Sequence, residues 1–485
     1  MVAAMDVNVS TVVTLTLVVL WLVLGTVAAG HAIMVKRDPR GAAIWAIIAL
    51  LLPVIGPWFY WQLGINRIKR RAVQRLGGRE KPFQIPDYVV GEFHLTGDDP
   101  QIGHLGALRR IADRVTRMPL LPGNAIAPLH NGEQAYPAML EAIHGAERSV
   151  TLASYIFDWD EVGHRFAHAL ADAAGRGVRV HVLLDGIGAV RTFSRLGRFL
   201  LESGARVAAF FPLRFPFGRL RINLRNHRKL LVVDGRVGFT GGMNISRRHL
   251  IERPSPRRVE DLHFKLRGPI VAELQQSFCE DWYLATDQPL PGEAFFPQLI
   301  EEGSSLCRGV ISGPDENFET IHWILQGAFA AAQRNVRITT PYFIPSAALT
   351  GAMIMASLRG VEVTLILPSQ VDRPFMRWAA DAYLWQLLSH GVRVFRRPPP
   401  FVHTKLLIVD ERWLTFGSAN LDRRSFRLNF EFNVEAYDTD LAARLSAEFD
   451  ALLAQCEPVT LHAVDSRPAA HRLRDGFFKM FSAYL

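Results

Sequence analysis

A polar signature occurs twice along the 485 residues, with its spacing unchanged. His227, Lys229 and Asp234 are followed by Gly241-Gly242-Met243-Asn244; His403, Lys405 and Asp410 are followed by Gly417-Ser418-Ala419-Asn420. A pattern kept at one offset implies a repeated structural unit around it. The flanking sequence repeats too: residues 149–157 answer to 335–344, 177–185 to 360–368, and 204–207 to 391–394. These are short apolar runs of strand character, and helix-like stretches such as 133–145 and 316–333 precede them. Each half is expected to read helix, strand, helix, strand, helix, strand, the pattern of an α/β fold.

From His to Asp the signature alternates with apolar residues, as a strand does. His227 and Lys229 then share one face, as do His403 and Lys405. An imidazole supplies a nucleophile or a proton donor, and an adjacent ammonium holds a phosphoryl oxygen. The glycine-containing pairs allow close backbone approach, and Asn244 and Asn420 add side-chain donors beside the same anion. One copy supplies half of an acid–base pair; two facing copies supply two His, two Lys and two Asn around one phosphate. Only seven of the 55 basic residues are Lys, so matched lysines point to a need for a compact ammonium rather than a guanidinium fork.

The doubled His-x-Lys-x4-Asp pattern resembles that of the phospholipase D superfamily at each of these positions, over roughly residues 120–460. Within it the chain is similar to bacterial cardiolipin synthases, on Asn226-His-Arg-Lys229, Thr340-Pro-Tyr-Phe-Ile-Pro345 and Asn420-Leu-Asp-Arg-Arg-Ser-Phe-Arg-Leu-Asn-Phe-Glu431. The resemblance implies two pseudo-symmetric α/β halves with the active site at their seam, and a transfer that needs no metal or cofactor. His227 would attack the phosphodiester of phosphatidylglycerol, giving a phosphatidyl-histidine, while His403 protonates the departing glycerol. His403 would then deprotonate a hydroxyl of a second phosphatidylglycerol, which takes the phosphatidyl group and becomes cardiolipin. Pseudo-symmetry leaves the two histidine roles exchangeable. Both imidazoles need an orienting acid. Asp261 and Glu431 each stand about 30 residues beyond their motif, and the family pattern pairs them crosswise, Glu431 behind His227 and Asp261 behind His403. Asp234 and Asp410 complete the signature but are expected to be structural, closing ionic contacts near the strand ends.

Residues 7–35 and 41–66 contain no Asp, Glu, Lys or Arg. A bilayer core of about 30 Å needs about 20 apolar residues in a helix, so an N-terminal two-helix transmembrane hairpin is expected over residues 1–66. Trp45, Trp58, Tyr60 and Trp61 lie towards the ends of the second run, as interfacial aromatics do; Pro53, Gly56 and Pro57 should kink it. No basic segment precedes the first run and a second follows at once, which argues against a cleaved signal. Arg67, Lys69, Arg70, Arg71, Arg75, Arg79 and Lys81 open a basic juxtamembrane linker over 67–119. Their number favours a multi-pass protein of the bacterial inner (cell) membrane with its catalytic part facing the cytoplasm, although Lys36, Arg37 and Arg40 in the hairpin turn pull the other way. The halves follow as 120–300 and 301–485, the second ending in an amphipathic segment.

At 49% hydrophobic and 21% charged residues, the chain is too apolar for disorder and too charged for a multi-span transporter. Cys279, Cys307 and Cys456 are too few and too scattered for a disulfide framework or a thiolate zinc site. A net charge of +9 points to an anionic partner, nucleic acid or acidic lipid. Just before the first signature, Phe215 and Phe217 mix with Arg214, Arg219, Arg221 and Arg225; beside a membrane anchor, this segment is read as contacting anionic phospholipid. The carboxyl terminus from Arg472 fits a helix either lying on a membrane or docked on the body. His164 and His168 have a helical spacing but no third ligand, and read as surface residues; His31 reads as interfacial. The expected partners are phosphatidylglycerol, other anionic phospholipids and the bilayer, not nucleic acid. Oligomeric state and the choice between phosphatidylglycerol and phosphatidylethanolamine stay open. A membrane-tethered phospholipase D that finishes on water is the main alternative. A nuclease is opposed by the uncharged spans and the scarcity of Lys, and a non-catalytic lipid-binding scaffold by the intact signatures.

Overall fold

Both apolar runs at the amino terminus are helical, but only one is of span length. In the computed structural model, which describes residues 9–36, 39–64, 85–86, 89, 99–187, 193–212, 224–314 and 319–482, α1 (Val9–Val35) has 27 residues and is long and apolar enough to cross a membrane. The second run is broken: α2 (Pro39–Leu51) has 13 residues, and α3 (Ile55–Phe59) follows with a π-helical turn, Tyr60–Gly64. Pro53 lacks an N–H and crowds the preceding turn, and Val54 sits at φ 61°, so the helix cannot run through. The expected two-helix hairpin is therefore not confirmed: one helix is of span length, and the second element is interrupted. His31 is not a lone boundary residue: its Nδ1 lies 2.7 Å from the Tyr60 hydroxyl.

These helices and the α/β body form two compact units. The basic cluster from Arg67 to Lys81 lies outside the described residues. The end of the expected linker is part of the body instead: Leu105, Leu108 and Ala112, on and beside α4 (Gly106–Val115), enter the core of the second half, and Asp113 pairs with Arg308. Their helical spacing gives that short segment a buried face.

The sequence repeat becomes a repeated strand order. The first half contains β1 (Leu121–His130), β2 (Ser149–Ser154), β3 (Arg179–Asp185), β4 (Arg206–Phe210), β5 (Arg225–Asn226), β6 (Leu230–Val233), β7 (Val237–Gly241) and β8 (Leu262–Arg267). The second contains β9 (Ser305–Ser312), β10 (Asn335–Thr339), β11 (Glu362–Pro368), β12 (Arg393–Arg397), β13 (Leu406–Val409), β14 (Trp413–Gly417), β15 (Asn429–Tyr437) and β16 (Glu457–Pro458). Across the sheet the first half runs β1-β8-β7-β6-β2-β3-β4, and the second β9-β15-β14-β13-β10-β11-β12-β16. β1 and β9 pair antiparallel, with Leu121 opposite Cys307, so the halves share one continuous sheet. Within each half three neighbouring strands are parallel, β2 with β3 and β3 with β4, β10 with β11 and β11 with β12. Parallel neighbours require a crossover, supplied by α5 (Glu161–Gly175) in one half and α7 (Ala347–Leu358) in the other, each with an N-cap, Asp160 or Ser346. Helices on the sheet faces leave β2, β3 and β11 buried apart from the exposed first residues Arg179 and Glu362, which is why they read as nearly unbroken apolar runs. A further helix, α6 (Ile270–Thr286), packs its buried Phe278 and Trp282 into the first half.

Candidate active site

Backbone register, rather than side-chain reach, brings each histidine to the other half. β5 runs parallel to the start of β15, with Arg225 opposite Asn429 and Asn226 opposite Phe430. The His227 N–H then donates to the Phe430 carbonyl at 2.9 Å, which sets His227 level with Glu431. The second half reciprocates: Phe401 and Val402 pair with Val259 and Glu260, and the His403 N–H donates to the Glu260 carbonyl at 2.7 Å. His403 is thereby level with Asp261. Beyond these points the chain returns to its own half, because β6 pairs with β2 and β13 with β10. The His and Lys of each signature thus occupy the extended stretch where the chain changes partner, not the strand interior.

The side chains follow that register. His227 Nδ1 lies 3.0 Å and 3.1 Å from the two Glu431 carboxylate oxygens, and His403 Nδ1 lies 2.8 Å from Asp261 Oδ2. A carboxylate accepts only, so each Nδ1 carries the hydrogen and each Nε2 keeps its lone pair. Glu431 also accepts from Ser418 Oγ at 2.5 Å and Asn429 Nδ2 at 3.0 Å. Asp261 accepts from the Leu262 N–H at 2.9 Å, and a Cβ at Gly242 would fall 2.4 Å from its carboxylate, so that glycine leaves the acid its room. Lys229 Nζ donates to the His227 carbonyl at 2.6 Å; Lys405 Nζ lies 3.0 Å and 3.2 Å from the His403 ring nitrogens. The Asn244 and Asn420 N–H groups donate to His249 Nε2 and Ser425 Oγ, at equivalent places in the two halves. Both histidines, both lysines and both asparagines are buried.

Burial lowers the His227 imidazole to about 4 against the pull of Glu431, and lowers His403 as well, aided by Lys405 and opposed by Asp261. It also brings the Lys229 ammonium down to about 7 and that of Lys405 to about 8. Burial alone would raise both carboxyls, yet His403 and Lys405 hold Asp261 well below the ordinary carboxylate range, and His227 and Lys229 hold Glu431 down. The charges act across the seam: Lys405 disfavours protonation of His227, and Lys229 that of His403. Two neutral, carboxylate-oriented imidazoles beside two ammoniums can serve as nucleophile, proton carrier and anion clamp for one phosphodiester.

Other expected residues fall elsewhere. Asp234 and Asp410 close the far ends of β6 and β13. Asp234 accepts from the N–H groups of Glu147, Arg148 and Ser149, and Asp410 from those of Gln333, Arg334 and Asn335, with His104 Nε2 at 2.6 Å. A strand of that length puts them about 20 Å from the imidazoles, so they brace the fold and do not share the site. Their partners are mainly backbone amides rather than the expected ionic contacts. Arg225 does not face lipid: it is buried, with its guanidinium 3.5 Å from Asp185. Arg214, Arg219, Arg221, Phe215 and Phe217 lie outside the described residues. His164 and His168 are exposed on α5, the first ring tilted beside Trp159 and the second edge-on to Phe199.

Several residues around the site were not singled out by the sequence reading. Asp281 on α6 holds Asn226 Nδ2 at 2.7 Å and Arg228 at 2.8 Å, bracing the first histidine from behind. Tyr155 and Tyr342, at matching positions after β2 and β10, stand edge-on to His227 and His403 with ring centres 5.1 Å and 6.4 Å away.

A doubled sheet with a crosswise pair of His–carboxylate couples is the architecture of a phospholipase D-type enzyme, and the chain belongs to that superfamily. The pattern described as "Cardiolipin synthase, PLD-like domain" matches residues 139–282 and 325–453, once in each half. The chain is 36% identical to Cardiolipin synthase A of Pseudomonas aeruginosa (strain LESB58) over 445 residues, 89% of this chain and 88% of that protein. It is 31% identical to Cardiolipin synthase of Geobacillus sp. (strain WCH70) over 453 residues, 93% and 90% of the two chains. In fold it is similar to phosphatidylserine synthase of Haemophilus influenzae Rd KW20, with a TM-score of 0.62 at 16% identity, covering 78% of this chain and 100% of that one. The chain is a member of the cardiolipin synthase family, and so a phosphatidyltransferase.

Proposed function

We propose that the protein makes cardiolipin from two molecules of phosphatidylglycerol. The observation that carries this reading is the crosswise pairing of His227 with Glu431 and His403 with Asp261. His227 Nε2 attacks the phosphorus of the donor; the bond to the glycerol oxygen breaks, and His403 gives that oxygen its proton. Phosphate binding favours the protonated form of His403, since a nearby anion raises an imidazole's proton affinity. In the second step His403 takes the proton from a glycerol hydroxyl of the acceptor. That oxygen attacks phosphorus, the P–N bond to His227 breaks, and cardiolipin leaves, so two phosphatidylglycerols become one cardiolipin and one glycerol. Lys229, Lys405, Asn244 and Asn420 hold the non-bridging oxygens through both steps. The enzyme works at the bacterial cell membrane as a multi-pass protein with its catalytic part facing the cytoplasm; α1 and the basic residues after the second apolar run support that placement.

Purified full-length protein given phosphatidylglycerol in vesicles is the test. Cardiolipin and glycerol in equal amounts support the reading. Phosphatidate and glycerol without cardiolipin would make the protein a hydrolase, and no turnover of any phospholipid would remove the proposal.

A further inference from the structure

The carboxyl-terminal helix α9 (Ala469–Met480) meets the described body along one side. On that side Asp475 is buried and ion-paired at 2.8 Å with both Arg467 and Arg474. Phe478 packs its ring 5.1 Å from Trp378 and 6.4 Å from Phe375, both on α8 (Pro374–Leu388). The opposite side is apolar, and among the described residues nothing covers it: Leu473, Phe477 and Met480 are 76%, 53% and 63% exposed. Spaced i, i+4 and i+7, they form one stripe, which Phe481 extends.

Both edges of the stripe are basic. At 3.6 residues per turn, Arg472 and Lys479 fall on one flank and Arg474 on the other. Arg474 lies over the Trp378 ring at 4.7 Å while pairing with Asp475, and Lys479 lies over the Tyr383 ring at 4.4 Å and donates to the Ala382 carbonyl at 3.2 Å, so both cations sit where the helix meets α8, along the borders of the stripe. An apolar band between two cationic borders is complementary to an anionic bilayer, with acyl chains for the band and phosphates for its edges. A second copy of the chain would set the same cations against each other.

We infer that α9 is an interfacial helix seating the catalytic body on anionic phospholipid. Leu473, Phe477 and Met480 lie among the acyl chains, and Arg472, Arg474 and Lys479 lie at phosphate level. The seat goes beyond the proposed reaction and requires no turnover; it only places a body that acts on lipid where lipid is.

The test uses full-length protein in vesicles of phosphatidylglycerol and phosphatidylcholine. A nitroxide is placed at Phe477→Cys, Met480→Cys or Arg472→Cys, with Cys456→Ser because Cys279 and Cys307 are already buried. Oxygen should relax the labels at 477 and 480 more than a water-soluble nickel chelate does, with the order reversed at 472. Stronger relaxation by the chelate at 477 and 480 would show a face left in water. Spin–spin broadening between chains there would show a second copy in its place. Either result overturns the inference. As a second arm, Leu473→Gln with Phe477→Gln and Met480→Gln should raise the apparent KM for vesicle lipid about tenfold, while turnover of short-chain, monomeric phosphatidylglycerol is unchanged. An unchanged vesicle KM contradicts the inference. Wild-type protein idle on both substrates would sink the proposed reaction and leave the spin-label result standing.

Discussion

His227 and Glu431 belong to opposite halves of the molecule, yet Nδ1 of one lies 3.0 Å from Oε2 of the other. The contact is fixed by the pairing of β5 with β15, so the sheet that joins the halves also orients the imidazole. His403 and Asp261 stand in the reciprocal relation at 2.8 Å.

Removing the charge of either acid should cost turnover rather than binding. Glu431→Gln and Asp261→Asn each leave a side chain that can no longer fix the tautomer or stabilise an imidazolium. A drop in kcat of about a thousandfold with KM nearly unchanged is expected. Near wild-type kcat in both variants, measured by glycerol release, would show that the acids do not orient the histidines.

The pH profile should be shifted on its alkaline side. Lowered proton affinity means that Lys229 loses its ammonium as pH rises through about 7, and Lys405 through about 8. Activity as kcat/KM should therefore fall above neutral pH, well before an ordinary lysine titrates. The kcat limb should lie higher, since bound phosphate favours the ammonium. On the acid side His227 stays neutral, and so nucleophilic, down to about pH 4. A kcat/KM profile level to pH 10 would contradict the buried-lysine account.

Asp234 and Asp410 should behave as fold residues. Each carboxylate takes three backbone N–H groups at the turn before a repeat strand. Asp234→Ala or Asp410→Ala leaves those amides without their acceptor, a loss of about 2 kcal/mol or more. Thermal inactivation should come at lower temperature while kcat per folded molecule is retained; loss of kcat in fully folded protein would place them in the chemistry.

Arg373 should govern what accepts the phosphatidyl group. It is exposed beside Tyr155 of the first half, next to Asp372, whose carboxylate takes the Tyr342 hydroxyl. A lipid acceptor brings its own phosphate to within one glycerol of the reacting phosphorus, whereas water brings none. Arg373→Ala should raise KM for the acceptor and move product from cardiolipin towards phosphatidate, with glycerol release maintained. An unchanged product ratio would rule that role out.

The repeat was legible because its strands are buried on both faces and therefore apolar in both copies, and because the His, Lys, Asp and Asn positions kept one spacing. Side-chain alternation placed His227 and Lys229 inside a strand; it could not show that the chain changes partner there, since β5 is two residues long and pairs with a strand about 200 residues away. Arg225 read as a lipid contact because an arginine beside aromatics looks exposed until Asp185 is found beneath it. The helix at 106–115 was hidden in a basic stretch, its buried face resting on few apolar side chains. Asp281 carries no local pattern at all, and Tyr155 stands in the repeat with nothing local to mark its neighbour; only the packed structure brings them to the first histidine.

The central claim is that both imidazoles act on a single phosphorus, and a crystal structure of the protein with vanadate tests it most directly. One vanadate per chain is expected, bonded to Nε2 of one histidine, with Nε2 of the other in hydrogen-bond contact with the oxygen on the opposite side and with Lys229 and Lys405 on its remaining oxygens. Two separate vanadates, one beside each histidine, would contradict it.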